Sequence, residues 1–176
     1  MSAARTTLVL GGARSGKSAF AEQIVRDSGL QAIYLATATA GDHEMSERIA
    51  HHRARRGDTW QTIEEPLDLA AVLARETLPG RILLVDCLTL WLSNLMHAGI
   101  DIAAASQELR EKLQHSPCPI VLVSNEVGLG LVPETPLGRQ FRDEQGRLNQ
   151  RIAACVDEVA FVAAGLPLWI KRQSGN

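Results

Sequence analysis

The sequence has few of the residues that mark several common classes of protein. Its 176 residues include three cysteines, Cys87, Cys118 and Cys155, which are widely spaced and form no CxxC pair. This argues against a zinc site or a disulfide framework and predicts small buried thiols in a reducing compartment. Aromatic residues make up only 4% and the net charge is −2. We therefore expect no nucleic-acid partner, because base-stacking platforms and a strong positive field are both missing.

Long apolar runs are also missing. No stretch approaches the ~20 residues that a membrane-spanning helix needs. The first apolar run, Leu8-Val9-Leu10, is too short for a signal peptide. We expect no membrane insertion and a cytoplasmic location. Hydrophobic residues at 45% and charged residues at 22% are ordinary for a globular protein, so we predict a single domain over residues 1–176.

Short apolar, β-branched runs alternate with longer helical patterns along the chain. This alternation predicts an α/β fold with a mostly parallel sheet and helices on both faces. Only a short turn at Gly165 separates the last two strands, which predicts a hairpin and an antiparallel edge strand. A frayed tail is expected at 173–176. The predicted strands are 6–10, 31–36, 59–64, 81–86, 119–124, 158–163 and 166–171, and the predicted helices are 17–27, 43–55, 67–76, 88–97, 102–114 and 136–155.

The strongest motif follows the first predicted strand and opens the first predicted helix: Gly11-Gly12-Ala13-Arg14-Ser15-Gly16-Lys17-Ser18. This is the P-loop pattern in the context that it requires. Its backbone N–H groups would surround phosphate oxygens at the positive end of the helix. Lys17 would bridge the β- and γ-phosphates, and Ser18 would hold Mg²⁺. Because pattern and context agree, we prefer this interpretation to a chance match, and it predicts a P-loop NTPase-like enzyme that uses ATP or GTP.

An acidic residue, Asp86, ends the apolar strand at 81–86. This is the Walker B arrangement, in which the carboxylate holds Mg²⁺ through water beside Ser18. A helix-capping Asp is the alternative. Ligands of parallel sheets collect at the carboxyl ends of the strands, so we expect one site to form from the ends at Gly11–Ser18, Ala36–Ala38, Glu64-Glu65, Asp86 and Ser124–Gly128.

A basic segment at 44–56 places His51 between Arg48 and Arg55 on one predicted helical face. A neutral imidazole beside bound phosphate could act as a nucleophile on phosphorus. On spacing alone, we interpret this segment as a solvated basic face.

A second polar stretch, 138–150, carries Arg139, Arg142 and Arg147, which could reach a phosphate. Its spacing also favours a solvated helix face. The letters at 143–146 match a GTPase DxxG, but this match lies late in the chain and on a predicted helix, so we discount it.

Taken together, the motifs resemble those of the bifunctional adenosylcobinamide kinase / adenosylcobinamide-phosphate guanylyltransferase family of cobalamin synthesis. The resemblance covers nearly the whole chain, and its most specific part is the Ser-Asn-Glu-Val-Gly run with the later Arg-Asp and Asn-Gln pairs. The matching segments are 11–18, 34–38, 48–53, 85–95, 124–133, 141–143 and 146–150. Some members carry Glu at the position of Asp86, and either carboxylate can serve Mg²⁺.

The resemblance implies two reactions on one P-loop fold. The first phosphorylates the aminopropanol hydroxyl of a corrinoid, adenosylcobinamide. The second transfers GMP from GTP to that phosphate through a GMP–histidine intermediate at His51 and releases pyrophosphate. The family also implies a homotrimer. By the same matching, the catalytic residues are His51, Lys17 and Asp86, and the nucleotide-binding residues are Gly11, Gly12, Ala13, Arg14, Ser15, Gly16, Lys17, Ser18, Ala36, Thr37, Ala38, His52, Arg53, Ala54, Arg55, Glu64 and Asp86.

Two other functions use parts of the same sequence. A small-molecule kinase without a transferase step needs the P-loop and Asp86 but no nucleophilic histidine. A GTP-binding regulatory module would need a guanine-reading Asn-Lys-x-Asp, which does not occur in the sequence.

Overall fold

The structure of the protein, a computed structural model, describes residues 4–38 and 59–172. None of the helices in these two ranges is long and apolar enough to cross a membrane. The strands are β1 (Thr6–Gly11), β2 (Gln31–Ala36), β3 (Gln61–Glu64), β4 (Arg81–Asp86), β5 (Ile120–Asn125), β6 (Glu158–Ala163) and β7 (Leu166–Lys171). The helices are α1 (Lys17–Asp27), α2 (Leu69–Glu76), α3 (Leu88–Ala98), α4 (Ile102–Gln114) and α5 (Pro136–Cys155).

The strands form one seven-stranded sheet in the order β3-β2-β4-β5-β1-β6-β7. The pairs from β3 to β6 are parallel, and β6 pairs with β7 in the antiparallel direction. This confirms the mostly parallel α/β fold and the antiparallel edge strand that the sequence predicts. The predicted helix at 43–55 and the tail at 173–176 lie outside the described residues.

The central strands of the sheet are buried on both faces, and their successive residues pack into two different apolar clusters. Leu83 and Val85 of β4 pack with Trp91 and other residues of α2 to α5, while Ile82 and Leu84 pack with α1 on the opposite face. A strand covered on both sides reads as a continuous apolar run, which is why the sequence pattern locates these strands well.

The three cysteines are free thiols, as the sequence predicts. Cys118 is buried, but Cys87 and Cys155 are only half-buried, so the expectation of buried thiols holds fully for one of the three. Burial raises the pKa of Cys118 and of Cys155 above the ordinary thiol range.

Candidate functional site

The strand register brings the carboxyl ends of the central strands to one edge of the sheet. Gly11 of β1 lies opposite Asn125 of β5, and Ala36 of β2 lies opposite both Asp86 of β4 and Glu64 of β3. Glu64 is two strands from Asp86 on the outer strand of the sheet. The structure thus groups the strand-end residues that the sequence singles out, with Glu64 farthest from the P-loop.

The loop from Gly11 to Gly16 adopts a tight turn that only glycine allows at its ends. A Cβ on Gly11 would lie 2.4 Å from Ser15 Oγ and 2.6 Å from the Val162 carbonyl oxygen. Gly16 is the N-cap of α1 and has a φ of 94°, in the left-handed region. Lys17 Nζ folds back over the loop and donates to the Gly12 carbonyl at 3.0 Å. The lysine is therefore held across the loop where a phosphate would bind.

Two features of this loop fit an anion. Gly16 caps α1 without a side-chain hydrogen bond, so no N-cap side chain occupies the first N–H groups of the helix. Ser15 Oγ is buried and has no hydrogen-bond partner in the described part of the chain. A buried hydroxyl without a partner is costly, and a phosphate oxygen bound in the loop would satisfy it.

Asp86 and Lys17 both lie close enough to Cys87 to influence the pKa of its thiol. Burial and the neighbouring Asp86 carboxylate together raise the pKa of Cys87 to about 11, against the opposing effect of the Lys17 ammonium. Helix α3 has Cys87 as its N-cap residue. Asp86 therefore immediately precedes the N-cap position of α3 at the end of β4.

Thr37 ties the end of β2 to the end of β4. Its backbone N–H donates to the Asp86 carbonyl at 3.3 Å, its Oγ1 donates to the Cys87 carbonyl at 2.7 Å, and Oγ1 accepts from the Cys87 N–H at 2.8 Å. The residue is fully buried. The resemblance implies that Thr37 binds nucleotide, and the structure directs its side chain to the backbone that follows Asp86.

Helix α3 lies along this edge of the sheet. Asn94 Nδ2 donates to the carbonyls of Thr37 at 2.8 Å and Pro66 at 3.0 Å, and Trp91 Nε1 donates to the Leu67 carbonyl at 2.7 Å. Sequence reasoning gave neither side chain a role. Both residues fall in the segment 85–95 that matches the family. That match is the only sequence feature that could have indicated a role for them.

A polar network holds the end of β5 to α5. Asn149 Oδ1 accepts from Ser124 Oγ at 2.7 Å and from Gln145 Nε2 at 3.0 Å, while Asn149 Nδ2 donates to the Asn125 carbonyl at 3.0 Å. The Asn125 N–H donates to Thr89 Oγ1 at 2.8 Å. These residues position the strand end beside the P-loop, and the sequence indicates them only through the matching motifs.

The arginines of the polar stretch have local partners. Arg139 donates to the carbonyls of Pro133 and Glu134, and Arg142 donates to the carbonyl of Gly128. Arg147 pairs with Glu144 at 2.6 Å. The structure therefore favours local roles over phosphate binding for these arginines. Residues 143–146 lie inside α5, in agreement with the predicted helix on which we discount the DxxG match.

The donors at the loop fit Mg²⁺ carried by a nucleotide. The described residues contain no group of three or more His, Cys, Asp or Glu side chains that could hold a metal ion. Mg²⁺ commonly takes one or two carboxylates, substrate phosphates and water rather than a full protein cage. The Ser18 hydroxyl at the start of α1 and the Asp86 carboxylate match this donor set.

The remaining predicted site residues, His51, His52, Arg53, Ala54 and Arg55, lie outside the described residues.

The fold and the loop define a P-loop nucleotide-binding protein. The fold is shared with a solved protein from Pyrococcus horikoshii OT3 (TM-score 0.64, 10% identity, 99% of this chain and 89% of that chain). It is also shared with the flagellar accessory protein FlaH from Methanocaldococcus jannaschii (TM-score 0.57, 9% identity, 97% and 80%). At such low identity, the likeness extends to the fold alone.

The chain belongs to the family described as cobinamide kinase / cobinamide phosphate guanyltransferase, whose model matches residues 7–170. It is 53% identical over 168 residues to the bifunctional adenosylcobalamin biosynthesis protein CobP of Pseudomonas aeruginosa, covering 94% of this chain and 97% of that protein. It is 41% identical over 179 residues to the bifunctional adenosylcobalamin biosynthesis protein CobU of Escherichia coli, covering 93% and 98%. The chain is accordingly an enzyme of the kinase and nucleotidyltransferase class, as the sequence predicts.

Proposed function

We propose that this enzyme phosphorylates adenosylcobinamide with ATP or GTP and then transfers GMP from GTP to the phosphate, giving adenosylcobinamide-GDP and pyrophosphate. The observation that supports the proposal most is that Lys17 of the P-loop and Asp86 at the end of β4 both lie near enough to Cys87 to affect its pKa, in a chain whose family description names both reactions. We propose that one domain, residues 1–176, performs both reactions.

In the kinase step, the corrinoid hydroxyl attacks the γ-phosphorus and the nucleoside diphosphate leaves. Such chemistry depends mainly on positioning and on neutralising phosphate charge. The loop N–H groups and Lys17 would hold the phosphates, and Ser15 Oγ would donate to one of them. Mg²⁺, held by Ser18 and Asp86, would supply further charge neutralisation when bound. We propose the other nucleotide contacts at Gly11–Gly16, Ala36–Ala38, His52–Arg55 and Glu64.

In the transferase step, we propose that the His51 imidazole attacks the α-phosphorus of GTP. An N–P bond forms, the P–O bond to pyrophosphate breaks, and GMP remains on the ring. An oxygen of adenosylcobinamide phosphate then attacks the same phosphorus and releases the imidazole. The support for His51 is the resemblance and the Arg48–His51–Arg55 spacing, since both guanidiniums could neutralise charge on the α-phosphate.

Mass measurement after incubation with GTP and Mg²⁺ tests the covalent step. The unmodified protein and His52→Asn should gain the mass of one GMP, and His51→Asn should gain none while keeping kinase activity. The adduct should be labile in acid and stable in alkali, as phosphorus on a ring nitrogen is. An adduct that persists in His51→Asn and vanishes in His52→Asn would move the nucleophile to His52. Transfer without any adduct would rule out the covalent route.

The same assay separates the alternative functions. A kinase without transferase activity would phosphorylate cobinamide but form neither an adduct nor the GDP-linked product. A regulatory module would hydrolyse GTP slowly and without dependence on cobinamide.

We also propose that the enzyme is a homotrimer and acts in the cytoplasm. The trimer follows from the resemblance, and an exposed apolar face on β7 offers a surface for subunit contact: Leu166 (73% exposed), Leu168 (64%) and Ile170 (59%) alternate along the strand. The three free thiols fit a reducing compartment.

A further inference from the structure

A cavity of about 380 Å³ lies between α3 and the first turns of α5. Met96, Leu137 and Phe141 supply apolar surface to it, and Ser93 and His97 supply polar atoms. No carboxylate or basic side chain apart from His97 lines this space among the described residues. The cavity therefore suits a ligand with a large apolar body and few polar contacts.

The cavity stands beyond the edge of the sheet that carries the P-loop. Helix α3 follows that edge, because Asn94 bonds to the carbonyls of Thr37 and Pro66. Helix α5 is fixed to the end of β5 through Gln145 and its neighbours. From Gln145, which contacts the end of β5, helix α5 runs back eight residues to Leu137. At 1.5 Å per residue, Leu137 lies roughly 12 Å along the helix from that contact. A ligand in the cavity would thus have one side towards the phosphates.

An exposed apolar ledge, residues 129–132, lies between β5 and α5. Leu129 is 84% exposed, Leu131 97% and Val132 64%, and Leu137 at the cavity is 60% exposed. The segment is held against α5, because Arg142 donates to the Gly128 carbonyl and Arg139 donates to the carbonyls of Pro133 and Glu134. Large apolar side chains that are exposed together in one short segment indicate a contact site.

His97 offers one defined polar contact to the cavity. Its Nδ1 lies 2.7 Å from the Ser93 carbonyl oxygen, which can only accept, so Nδ1 carries the hydrogen. In the neutral ring, Nε2 is then an acceptor. His97 can receive a hydrogen bond from an amide N–H of a bound ligand.

We propose that this cavity and ledge bind the corrin ring of the acceptor substrate, with the aminopropanol arm directed towards Lys17 and Asp86. This inference rests on the proposed function, which supplies the corrinoid. A corrin ring carries methyl groups that match Met96, Leu137 and Phe141, and peripheral amides that match the Nε2 of His97. The ring is wider than the cavity, so part of it rests on the ledge.

The nucleotide base fits this surface poorly. Selective binding of guanine needs polar groups that pair with its ring nitrogens and amino group, and sites that select a polar ligand place such partners around it. The cavity offers no carboxylate and mostly apolar walls. A guanine base in this cavity would have no hydrogen-bond partners for its polar edge.

The test measures cobinamide affinity by equilibrium dialysis, and the KM values of cobinamide and GTP, in matched variants. Leu137→Asp places a charge at the cavity on an already exposed side chain, and its control is Leu78→Asp, at another exposed leucine (46%). His97→Ala removes the acceptor, and its control is His115→Ala, whose Nδ1 makes the same bond to a carbonyl four residues earlier, that of Glu111 at 2.8 Å.

We expect Leu137→Asp and His97→Ala each to weaken cobinamide binding about tenfold, or ~1.4 kcal/mol, with the KM of GTP unchanged. His97→Gln should recover part of the loss, because its amide oxygen can accept, and both controls should match the unmodified protein.

Unchanged cobinamide affinity in Leu137→Asp and His97→Ala would overturn the inference and leave the proposed function standing. A rise in the KM of GTP with normal cobinamide binding would assign the cavity to the base and also overturn it. If the unmodified protein neither binds cobinamide nor converts it, the proposed function fails first.

Discussion

The Lys17 ammonium is held across the loop in which a phosphate would bind. It rests on the Gly12 carbonyl at 3.0 Å, a neutral partner that a phosphate can replace. Lys17→Ala should lower nucleotide affinity and reduce the rate of both reactions on the order of a hundredfold, because charge developing on the phosphates loses its cation. Calorimetric titration with GTP and both turnover assays measure this. Lys112→Ala on the exposed side of α4 is the control, and normal kinase turnover in Lys17→Ala would contradict the P-loop assignment.

Asp86 can be separated from an ordinary capping aspartate by its response to Mg²⁺. Asp86→Asn should reduce kcat at limiting Mg²⁺ more than it weakens nucleotide binding, because the amide orders the metal's water shell less well. The control is Asp101→Asn, since Asp101 caps α4 by accepting from the N–H groups of Ala103 and Ala104. Because asparagine caps a helix about as well as aspartate, this control should keep both its stability and its Mg²⁺ dependence. An Asp86→Asn enzyme with a normal rate at low Mg²⁺ would leave Asp86 without a metal role.

Glu76 makes the unfolding free energy depend on pH. The hydrogen bond from Arg75 lowers the pKa of this carboxyl, and the positive charges of Arg75 and Arg81 act in the same direction against partial burial. A carboxyl with a lowered folded pKa stabilises the fold above its unfolded pKa and loses that effect as pH falls through the folded pKa. Urea unfolding should therefore find Glu76→Gln less stable at neutral pH and the gap closing in acid. A gap that is the same at all pH values would contradict the ion-pair account.

At the scale of elements, the buried hydroxyl of Thr37 connects the end of β2 to the end of β4 through two hydrogen bonds with Cys87. Thr37→Val keeps the shape of the side chain but removes the acceptor of the Cys87 N–H and one of two donors to the Cys87 carbonyl, which still accepts from the Trp91 N–H. The change should cost about 1–3 kcal/mol of stability. It should also raise the Mg²⁺ requirement, because the backbone that carries Asp86 loses its tie. Chemical denaturation and Mg²⁺-dependent rates measure both effects. Thr77→Val, which removes a single hydroxyl bond to the Leu73 carbonyl, should lower stability only.

In the described part of the chain, the predicted bounds of the strands and helices agree with the observed ones to within two residues. The strand predicted at 81–86 is β4 itself, because burial on both faces leaves a continuous apolar run with clear ends. The helix predicted at 67–76 begins later, at Leu69, since the side chain of Asp68 accepts from the Ala71 N–H and caps it there. Local chemistry sets these boundaries, so local patterns reveal them.

Residues of the candidate site could be predicted only where a local sequence pattern marks them. The P-loop is one uninterrupted motif, and Asp86 is marked by its strand. By contrast, Asn94 meets Thr37 across 57 residues and Gln145 meets Ser124 across 21. The sequence around an isolated polar residue on a helix does not indicate its hydrogen-bond partner, because the packing of the helix determines which groups come close to it.

At the scale of the whole molecule, the proposed trimer can be tested at the exposed apolar face of β7. A charge in that face should be poorly tolerated if subunits pack against it. We expect the unmodified protein to sediment as a trimer and Leu168→Lys to dissociate at the same concentration. Leu78→Lys, at an exposed leucine away from β7, should sediment like the unmodified protein. A monomer in all three samples would contradict the trimer, and a trimer in all three would place the interface elsewhere.

The turn between β6 and β7 touches the P-loop directly. The Gly165 N–H donates to the Ser15 carbonyl at 2.7 Å, and a Cβ on Gly16 would lie 3.0 Å from Gly165 Cα. Amide hydrogen exchange at Gly165 therefore reports on the loop, and bound nucleotide should slow it. We expect a contact that stiffens the edge hairpin to stiffen the loop as well, through this hydrogen bond. Because linkage is reciprocal, nucleotide binding and contact at β7 must then strengthen or weaken each other by the same factor.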